Sequence, residues 1–130
     1  MSKVFLGGTG NESTWREELI SKLKIEYFNP VVDNWTLECM EEEFRQRNSC
    51  DFCLYVITPK MTGAYAIAEV VDDSNKRPKK TILCVLNWDD GLSFTEGQVR
   101  SLESVKLMVF ANGSYVFGEL DSLAQFLNGE

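Results

Sequence analysis

The 130-residue sequence has no histidine, no long apolar run and fewer basic (13) than acidic (20) residues. Without histidine, the Ser-His and Cys-His pairs that activate nucleophiles are excluded, so acid–base chemistry falls to carboxylates, tyrosine, lysine or cysteine. No apolar stretch reaches about eighteen residues, and we expect neither a membrane span nor a secretory leader. The net charge of -7 argues against nucleic acid or an anionic membrane as the main partner.

The sequence has four cysteines, and two of them, Cys50 and Cys53, form a C-x-x-C. A thioredoxin-type pair lies where a strand ends and a helix begins, whereas this pair lies where a predicted helix ends and a strand begins. A zinc site would need two further ligands at suitable spacing. We therefore expect reduced thiols that pack in the core of a cytoplasmic protein, with no metal and no cofactor.

Short apolar runs alternate with helical patterns along the whole chain. Strands are predicted at 3–6, 25–28, 51–58, 81–86 and 106–111, and helices at 14–24, 37–49, 62–74, 94–103 and 119–127. Such alternation implies a parallel sheet with helices on both faces. We predict that residues 1–130 form a single-domain α/β fold, a flavodoxin-like or Rossmann-like three-layer sandwich with a five-stranded, mostly parallel sheet. Its ligand is expected at the carboxyl ends of the strands, among loops 7–11, 29–35 and 58–63.

Glu69 is a lone carboxylate within the apolar run of KMTGAYAIAEVVDD, residues 60–73. At about 100° per residue, the predicted sheet-facing stripe consists of Ala64, Ile67, Ala68 and Val71. Glu69 lies on another side of the helix, together with Thr62, Tyr65 and Asp73. From this helix alone, a glutamate on a solvated flank is the more common case than a reactive acid.

Three other features each have a functional and a purely structural interpretation. The turn GGTGN offers backbone N–H groups to a phosphate or a sugar hydroxyl, although such turns also simply reverse the chain, and it lacks dinucleotide or P-loop spacing. Asp51 opens the third strand, where a turn or capping aspartate is equally expected. Asp33 and Trp35 either fold their own loop or, for the tryptophan, stack on a planar base.

Three segments of the chain, in their order, resemble the nucleoside 2-deoxyribosyltransferase family, including the related 2'-deoxynucleoside 5'-phosphate N-hydrolases. These segments are KVFLGGTGN, FNPVVDNW and CDFCLYVITPKMTGAYAIAE. The resemblance covers about residues 3–90. In that family a strand that begins after an aspartate leads, through a Gly-containing segment, to a helix that presents a glutamate, and Asp51, Gly63 and Glu69 match these positions. The resemblance implies that the N-glycosidic bond of a 2'-deoxynucleoside or its 5'-monophosphate is cleaved or transferred, with Glu69 as the nucleophile. A carboxylate suits this chemistry because it can trap an oxocarbenium-like centre.

The resemblance also implies a set of site residues. Asp51 would bind the nucleoside or handle the proton of the leaving base, and Tyr65 would replace a first-strand tyrosine of the transferases, where Phe5 stands here. Gly63 replaces an acidic residue or serine of relatives, and Gly10 lies where the N-hydrolases have a basic residue. The implied catalytic set is Glu69, Asp51 and Tyr65, and the implied substrate-binding set is Phe5, Gly7, Gly8, Thr9, Asn11, Asp33, Trp35, Thr62 and Gly63.

Two alternatives to this activity stay open at the level of sequence. The missing first-strand tyrosine favours a catalytically inactive nucleotide-binding or sensing module of the same fold. The other alternative is an enzyme that cleaves the glycosidic bond of another nucleotide, such as a dinucleotide.

The resemblance also concerns assembly. Relatives cover the pocket with a neighbouring subunit, which implies a homodimer or higher homo-oligomer. The apolar residues Leu92, Phe94, Tyr115, Val116 and Phe117 suit such an interface, but they equally suit packing of the last helix on the sheet.

Overall fold

The apolar run FCLYVI forms a central strand that is almost entirely buried, as expected for a parallel strand covered on both faces. The computed structural model describes residues 2–10 and 12–130. The strands are β1 (Lys3–Gly8), β2 (Glu26–Phe28), β3 (Phe52–Ile57), β4 (Thr81–Val85), β5 (Trp88–Asp89), β6 (Leu92–Ser93) and β7 (Tyr115–Phe117). The helices are α1 (Trp15–Ile20), α2 (Leu37–Ser49), α3 (Tyr65–Lys76), α4 (Glu96–Ala111) and α5 (Leu120–Leu127), and Pro78–Lys80 form a 3-10 turn. None of the helices in this described part is long and apolar enough to cross a membrane.

The main sheet has five parallel strands in the order β2–β1–β3–β4–β7, while β5 and β6 form a separate antiparallel pair. Counted along the chain, this is the 2-1-3-4-5 order of flavodoxin-like doubly wound folds. The predicted single-domain three-layer α/β architecture is therefore confirmed. The strand order reverses between β1 and β3, so the helices that follow these strands cover opposite faces of the sheet.

Two apolar clusters hold the layers together, one on each face of the sheet. The first packs α1 and α5 against alternate residues of the central strands, such as Leu6 and Leu54. The second packs α3 and α4 against the intervening residues, such as Tyr55 and Leu83. Cys50 and Cys53 belong to the second cluster, which agrees with their interpretation as core residues.

The strand predicted at 106–111 is wrong, because these residues form the second half of α4. Thr95 caps this helix with a capping box to Gln98, and the helix then continues without a breaker until Asn112 and Gly113. Of its last residues, Val109 is buried, whereas Leu107 and Phe110 are exposed. The apolar run therefore reflects an exposed apolar helix face, and the last strand of the sheet is β7.

The orientation of α3 agrees with the prediction only in part, since Ile67 and Val71 of the predicted stripe pack against the second cluster. Val70, Asp73 and Ser74 are its buried residues, whereas Ala64, just before the helix, and Ala68 are exposed. The flank predicted to be solvated thus turns inward at Glu69 and Asp73. The physical reason is that the Asp73 carboxylate has cationic and hydroxyl partners inside the fold, which make its burial tolerable.

Candidate functional site

A cleft of about 380 Å³ opens between α2 and the beginning of α3. This volume lies in the range of small-molecule sites. Its lining residues are Trp35 from the preceding loop, Met40, Glu43, Phe44 and Arg47 from α2, and Tyr65 and Glu69 from α3. The four α2 positions follow the spacing i, i+3, i+4, i+7, so one face of that helix forms one wall. Aromatic rings and two carboxylates therefore converge on one concave surface.

Glu69 is the most perturbed carboxyl group of the cleft. Its side chain is 19% exposed, and its Oε2 lies 3.5 Å from Arg47 Nη1. Burial raises the pKa of Glu69 to about 7, Arg47 opposes this rise, and the negative charges of Asp73 and Glu43 add to it. At neutral pH this carboxyl group consequently exists in both ionisation states, which suits a group that alternates between carboxylate and neutral form.

Asp73 lies one helical turn after Glu69 and anchors the cationic partner of the site. Its side chain is fully buried, and its Oδ1 accepts hydrogen bonds from Arg47 Nη2 at 2.8 Å and from Arg77 Nη1 at 2.9 Å. The hydroxyl of Tyr55, on the central strand, donates to Oδ2. The guanidinium of Arg47 is thus held between α2 and α3 before any ligand binds.

Of the residues predicted from sequence, the cleft brings together Glu69, Tyr65 and Trp35. The sequence interpretation missed Glu43 and Arg47, which contribute the second carboxylate and the cation. The spacing of Met40, Glu43, Phe44 and Arg47 could have found them, because it marks one continuous face of a helix that carries both apolar and charged side chains.

Asp51 does not line the cleft, so the prediction that it lies beside Glu69 is wrong. It precedes β3, at the amino end of the strand, and its carboxylate accepts a hydrogen bond from the backbone N–H of Lys3 at 2.8 Å. Glu69 belongs to the helix that follows the carboxyl end of the same strand. Asp51 therefore ties the amino ends of β1 and β3 together, the structural role that was the alternative.

The glycine segment forms the end of β1 and the start of the loop to α1, and it does not line the cleft. A Cβ at Gly7 would lie 2.8 Å from the Tyr55 ring, and one at Gly8, whose φ is 114°, would lie 2.1 Å from the Val56 carbonyl oxygen. Thr9 is buried, and its hydroxyl accepts a hydrogen bond from the Thr58 N–H. These residues allow β1 and β3 to approach closely. Asn11, also predicted to bind substrate, lies outside the described residues.

The remaining predicted substrate-binding residues also lie away from the cleft lining. Phe5 is buried in the second cluster and stacks on Phe28, with ring centroids 5.8 Å apart. Asp33, Thr62 and Gly63 are exposed in the loops before α2 and α3. Of the implied substrate-binding residues that the structure describes, Trp35 alone lines the cleft.

A largely buried carboxyl group, not volume, distinguishes the Glu69 cleft from two other depressions of the surface. One, of about 530 Å³, is larger than the cleft, but its carboxylates Glu18, Glu119 and Asp121 are exposed. The other, of about 390 Å³ between α3 and α4, has no titratable side chain in its lining. Within residues 2–10 and 12–130, no group of three or more His, Cys, Asp or Glu side chains is arranged to hold a metal ion. Glu69, Glu43 and Arg47 are therefore the groups on which we base the chemistry.

The raised pKa of Glu69 predicts a pH-dependent effect of Glu69→Gln on stability. The native state holds the proton more tightly than the unfolded chain, so ionisation of Glu69 destabilises the fold as pH rises from about 4.5 to 7. Glutamine does not ionise. We expect the variant to gain stability relative to the wild type across this range, by about 1 kcal/mol after allowance for partial exposure. Denaturant unfolding of both proteins at pH 4, 6 and 8 measures the difference in their free energy of unfolding. A difference that stays constant with pH would contradict this prediction.

The match to known proteins covers the part of the chain that forms the cleft. A model of the nucleoside 2-deoxyribosyltransferase-like family matches residues 1–87, about two thirds of the chain. This region includes β1 to β4 with α1, α2 and α3, and hence every cleft-lining residue. Comparison with curated proteins and with solved structures gives no match. On the extent of the family match, the chain belongs to the nucleoside 2-deoxyribosyltransferase-like family.

Proposed function

We propose that this protein cleaves or transfers the N-glycosidic bond of a 2'-deoxynucleoside or its 5'-monophosphate, with Glu69 as the covalent nucleophile. The observation that carries the proposal is the environment of Glu69. This carboxyl group is largely buried, its pKa is raised to about 7, and it lies inside a cleft with aromatic walls. The chain that presents it belongs to the nucleoside 2-deoxyribosyltransferase-like family. Strongly perturbed acids in clefts are enriched at catalytic sites.

The reaction proceeds by two displacements at the anomeric carbon of the sugar. The ionised Glu69 carboxylate bonds to this carbon while the bond to the base nitrogen breaks, and the bonding electrons leave with the base. The base takes up a proton, and the sugar remains as an ester of Glu69. Water or a second base then attacks the same carbon and releases the carboxylate, which gives hydrolysis or transfer respectively.

Glu43 is the candidate to exchange the proton with the leaving base. It is the second carboxyl group that lines the cleft, and it interacts electrostatically with Glu69. A base that departs without a proton is a poor leaving group, so an acid facing the cleft lowers the barrier. Glu43 thereby takes the proton-handling role that the family resemblance had assigned to Asp51.

The exposed aromatic side chains of the cleft suit a planar base. Trp35, Phe44 and Tyr65 are 56%, 48% and 71% exposed, far more than large apolar side chains that serve only the core. Stacking of a base on such a ring contributes about 1–3 kcal/mol and tolerates different bases. The proposed arrangement therefore has the base among the aromatic rings and the sugar toward Glu69.

Incubation with a panel of deoxynucleosides and their 5'-monophosphates, with and without a second free base, tests the proposal. Chromatography that detects free base alone identifies a hydrolase, and exchange of bases identifies a transferase. The ribonucleosides serve as controls, because a 2'-hydroxyl changes the reactivity of the anomeric carbon. Binding of a nucleotide without either product would contradict the enzyme proposal and support the sensing module instead.

We expect the protein to form at least a homodimer in which a neighbouring subunit borders the cleft. The exposure of its aromatic walls leaves the covalent ester accessible to bulk water, and a neighbouring chain would shield it. Sedimentation velocity should give a mass of at least twice 14.8 kDa, and activity per chain should fall on dilution as the oligomer dissociates. A 14.8 kDa species with undiminished activity would contradict this expectation.

A further inference from the structure

The cationic partner of Glu69 is itself fixed by a buried ion-pair cluster that spans three elements of the fold. Arg47 comes from α2, Asp73 from α3 and Tyr55 from β3, and Arg77, just after α3, completes the cluster. Asp73 receives three donors on its two oxygens and is fully buried. A buried carboxylate tied in this way restricts the guanidinium of Arg47 to one position.

Arg47 divides its contacts unequally between two carboxylates one turn apart on α3. Its Nη2 hydrogen-bonds Asp73 at 2.8 Å, whereas its Nη1 lies 3.5 Å from Glu69 Oε2. Asp72 is more distant, with 4.0 Å between its Oδ2 and Nη2. The strong bond therefore anchors the arginine, and the longer contact leaves the Glu69 carboxylate able to react.

The burial of Arg47 is only partly compensated by hydrogen bonds. Its residue is 8% exposed, and within the described part of the chain its Nε is buried without an acceptor. An unsatisfied buried donor costs stability, so it calls for an explanation beyond packing. Because the opposite end of the same guanidinium faces a cleft carboxylate, the explanation we draw is functional.

We propose that Arg47, anchored by Asp73, is a positioning residue that holds the Glu69 carboxylate in the cleft and favours its ionised, nucleophilic form. This inference rests on the proposed function of Glu69. It adds a part of the site, the Tyr55–Asp73–Arg47 anchor, that lies beyond the nucleophile and the proton-handling acid.

The charges around Glu69 agree with this assignment. Arg47 on α2 lowers the pKa of Glu69, whereas burial, Asp73 on α3 and Glu43 on α2 raise it. Burial alone would lower the pKa of Arg47, but its hydrogen bond to Asp73 and the nearby negative charges raise it, so the guanidinium stays charged throughout the accessible pH range. Further titratable groups near this site are Tyr55 and Cys53 on β3, Tyr65 and Asp72 on α3, and Arg77 just after α3. Arg47 is therefore the cation that opposes burial at Glu69.

The anchor also suits the covalent intermediate. When the Glu69 carboxylate becomes a sugar ester, it loses its negative charge, and a cation paired only with Glu69 would be left without compensation in a partly desolvated cleft. Arg47 keeps Asp73 as its partner throughout. Formation and release of the ester consequently require no movement of the arginine.

Arg47→Gln and Arg77→Gln form a matched pair of variants that tests the proposal. Both remove a donor from Asp73, but only Arg47 contacts Glu69. Carbon-13 NMR titration of the Glu69 carboxyl in the full chain, assigned with Glu69→Gln, reports its pKa without any need for substrate. We expect the Glu69 pKa to rise by about one unit in Arg47→Gln and to stay unchanged in Arg77→Gln, while both variants lose thermal stability.

On a substrate identified by the panel, the acidic limb of the pH profile of kcat/KM should move upward by the same unit in Arg47→Gln. The value at pH 7 should fall about fivefold from lost ionisation alone, mainly in kcat, and Arg47→Lys should restore part of it. An unchanged Glu69 pKa in folded Arg47→Gln, or equal shifts in both glutamine variants, would overturn the proposal. A selective pKa shift in a protein that turns over no nucleoside would support the positioning of Glu69 and contradict only the proposed function.

Discussion

Glu69→Gln should lose at least about 10³-fold in kcat, because an amide cannot form the glycosyl ester on which both displacements depend. The fold should persist, since glutamine has nearly the same shape and needs no compensating charge at this largely buried position. Steady-state assays of the panel substrate, with circular dichroism to verify folding, measure both parts of this result.

Trapping of the intermediate makes the assignment of the nucleophile direct. A 2-fluorinated deoxyribosyl substrate slows both displacements, so the ester should accumulate, and peptide mass spectrometry should find the added sugar on Glu69. Glu41→Gln is a suitable control, because it removes an exposed carboxylate from α2, the other wall of the cleft, at a position outside the cleft lining. That variant should form the adduct at the wild-type rate. An adduct on any other residue, or wild-type turnover by Glu69→Gln, would contradict the proposed nucleophile.

The fold was largely predictable because its strands are apolar runs between strong helix signals. Thr36 caps α2 as expected, with its hydroxyl accepting the Cys39 N–H, and α2 has the predicted bounds. The error at 106–111 arose because an apolar run fits either a buried strand or an apolar helix face. The capping box at Thr95 and the lack of a breaker before Gly113 favour the helix, and both are readable in the sequence.

The site was less predictable because its electrostatics depend on contacts between distant parts of the chain. Helical periodicity assigns polar residues to solvent, but Asp73 is buried by partners that are 18 and 26 residues away, Tyr55 and Arg47. The i,i+4 spacing of Asp73 and Arg77 is local, but no local pattern predicts the partners from α2 and β3. The position of Asp51, by contrast, follows from strand direction alone, because a residue that precedes a strand and a helix that follows it begin at opposite edges of the sheet.

Glu43→Gln should lower kcat by about 10²- to 10⁴-fold on natural deoxynucleosides, the range expected for loss of a positioned acid. Asp51→Asn should stay within a few-fold of the wild type, because its carboxylate bonds the Lys3 backbone and not the cleft. The two variants thus separate the location of the acid found in the structure from the one implied by the family resemblance. Measuring kcat and KM for both on one substrate makes the comparison.

Leaving-group dependence identifies what Glu43 contributes. A 4-nitrophenyl 2-deoxyriboside releases a stable anion and needs no proton, so removal of a general acid should slow it far less than a purine or pyrimidine nucleoside. Glu69→Gln should remain inactive on both kinds of substrate, because the nucleophile is required whichever group leaves. If Glu43→Gln slows both substrates equally, Glu43 acts in binding or in shaping the cleft and not as the acid. If Asp51→Asn instead shows the leaving-group-dependent loss, the proton must reach the base from the amino edge of the sheet, and the assignment of the cleft itself would be wrong.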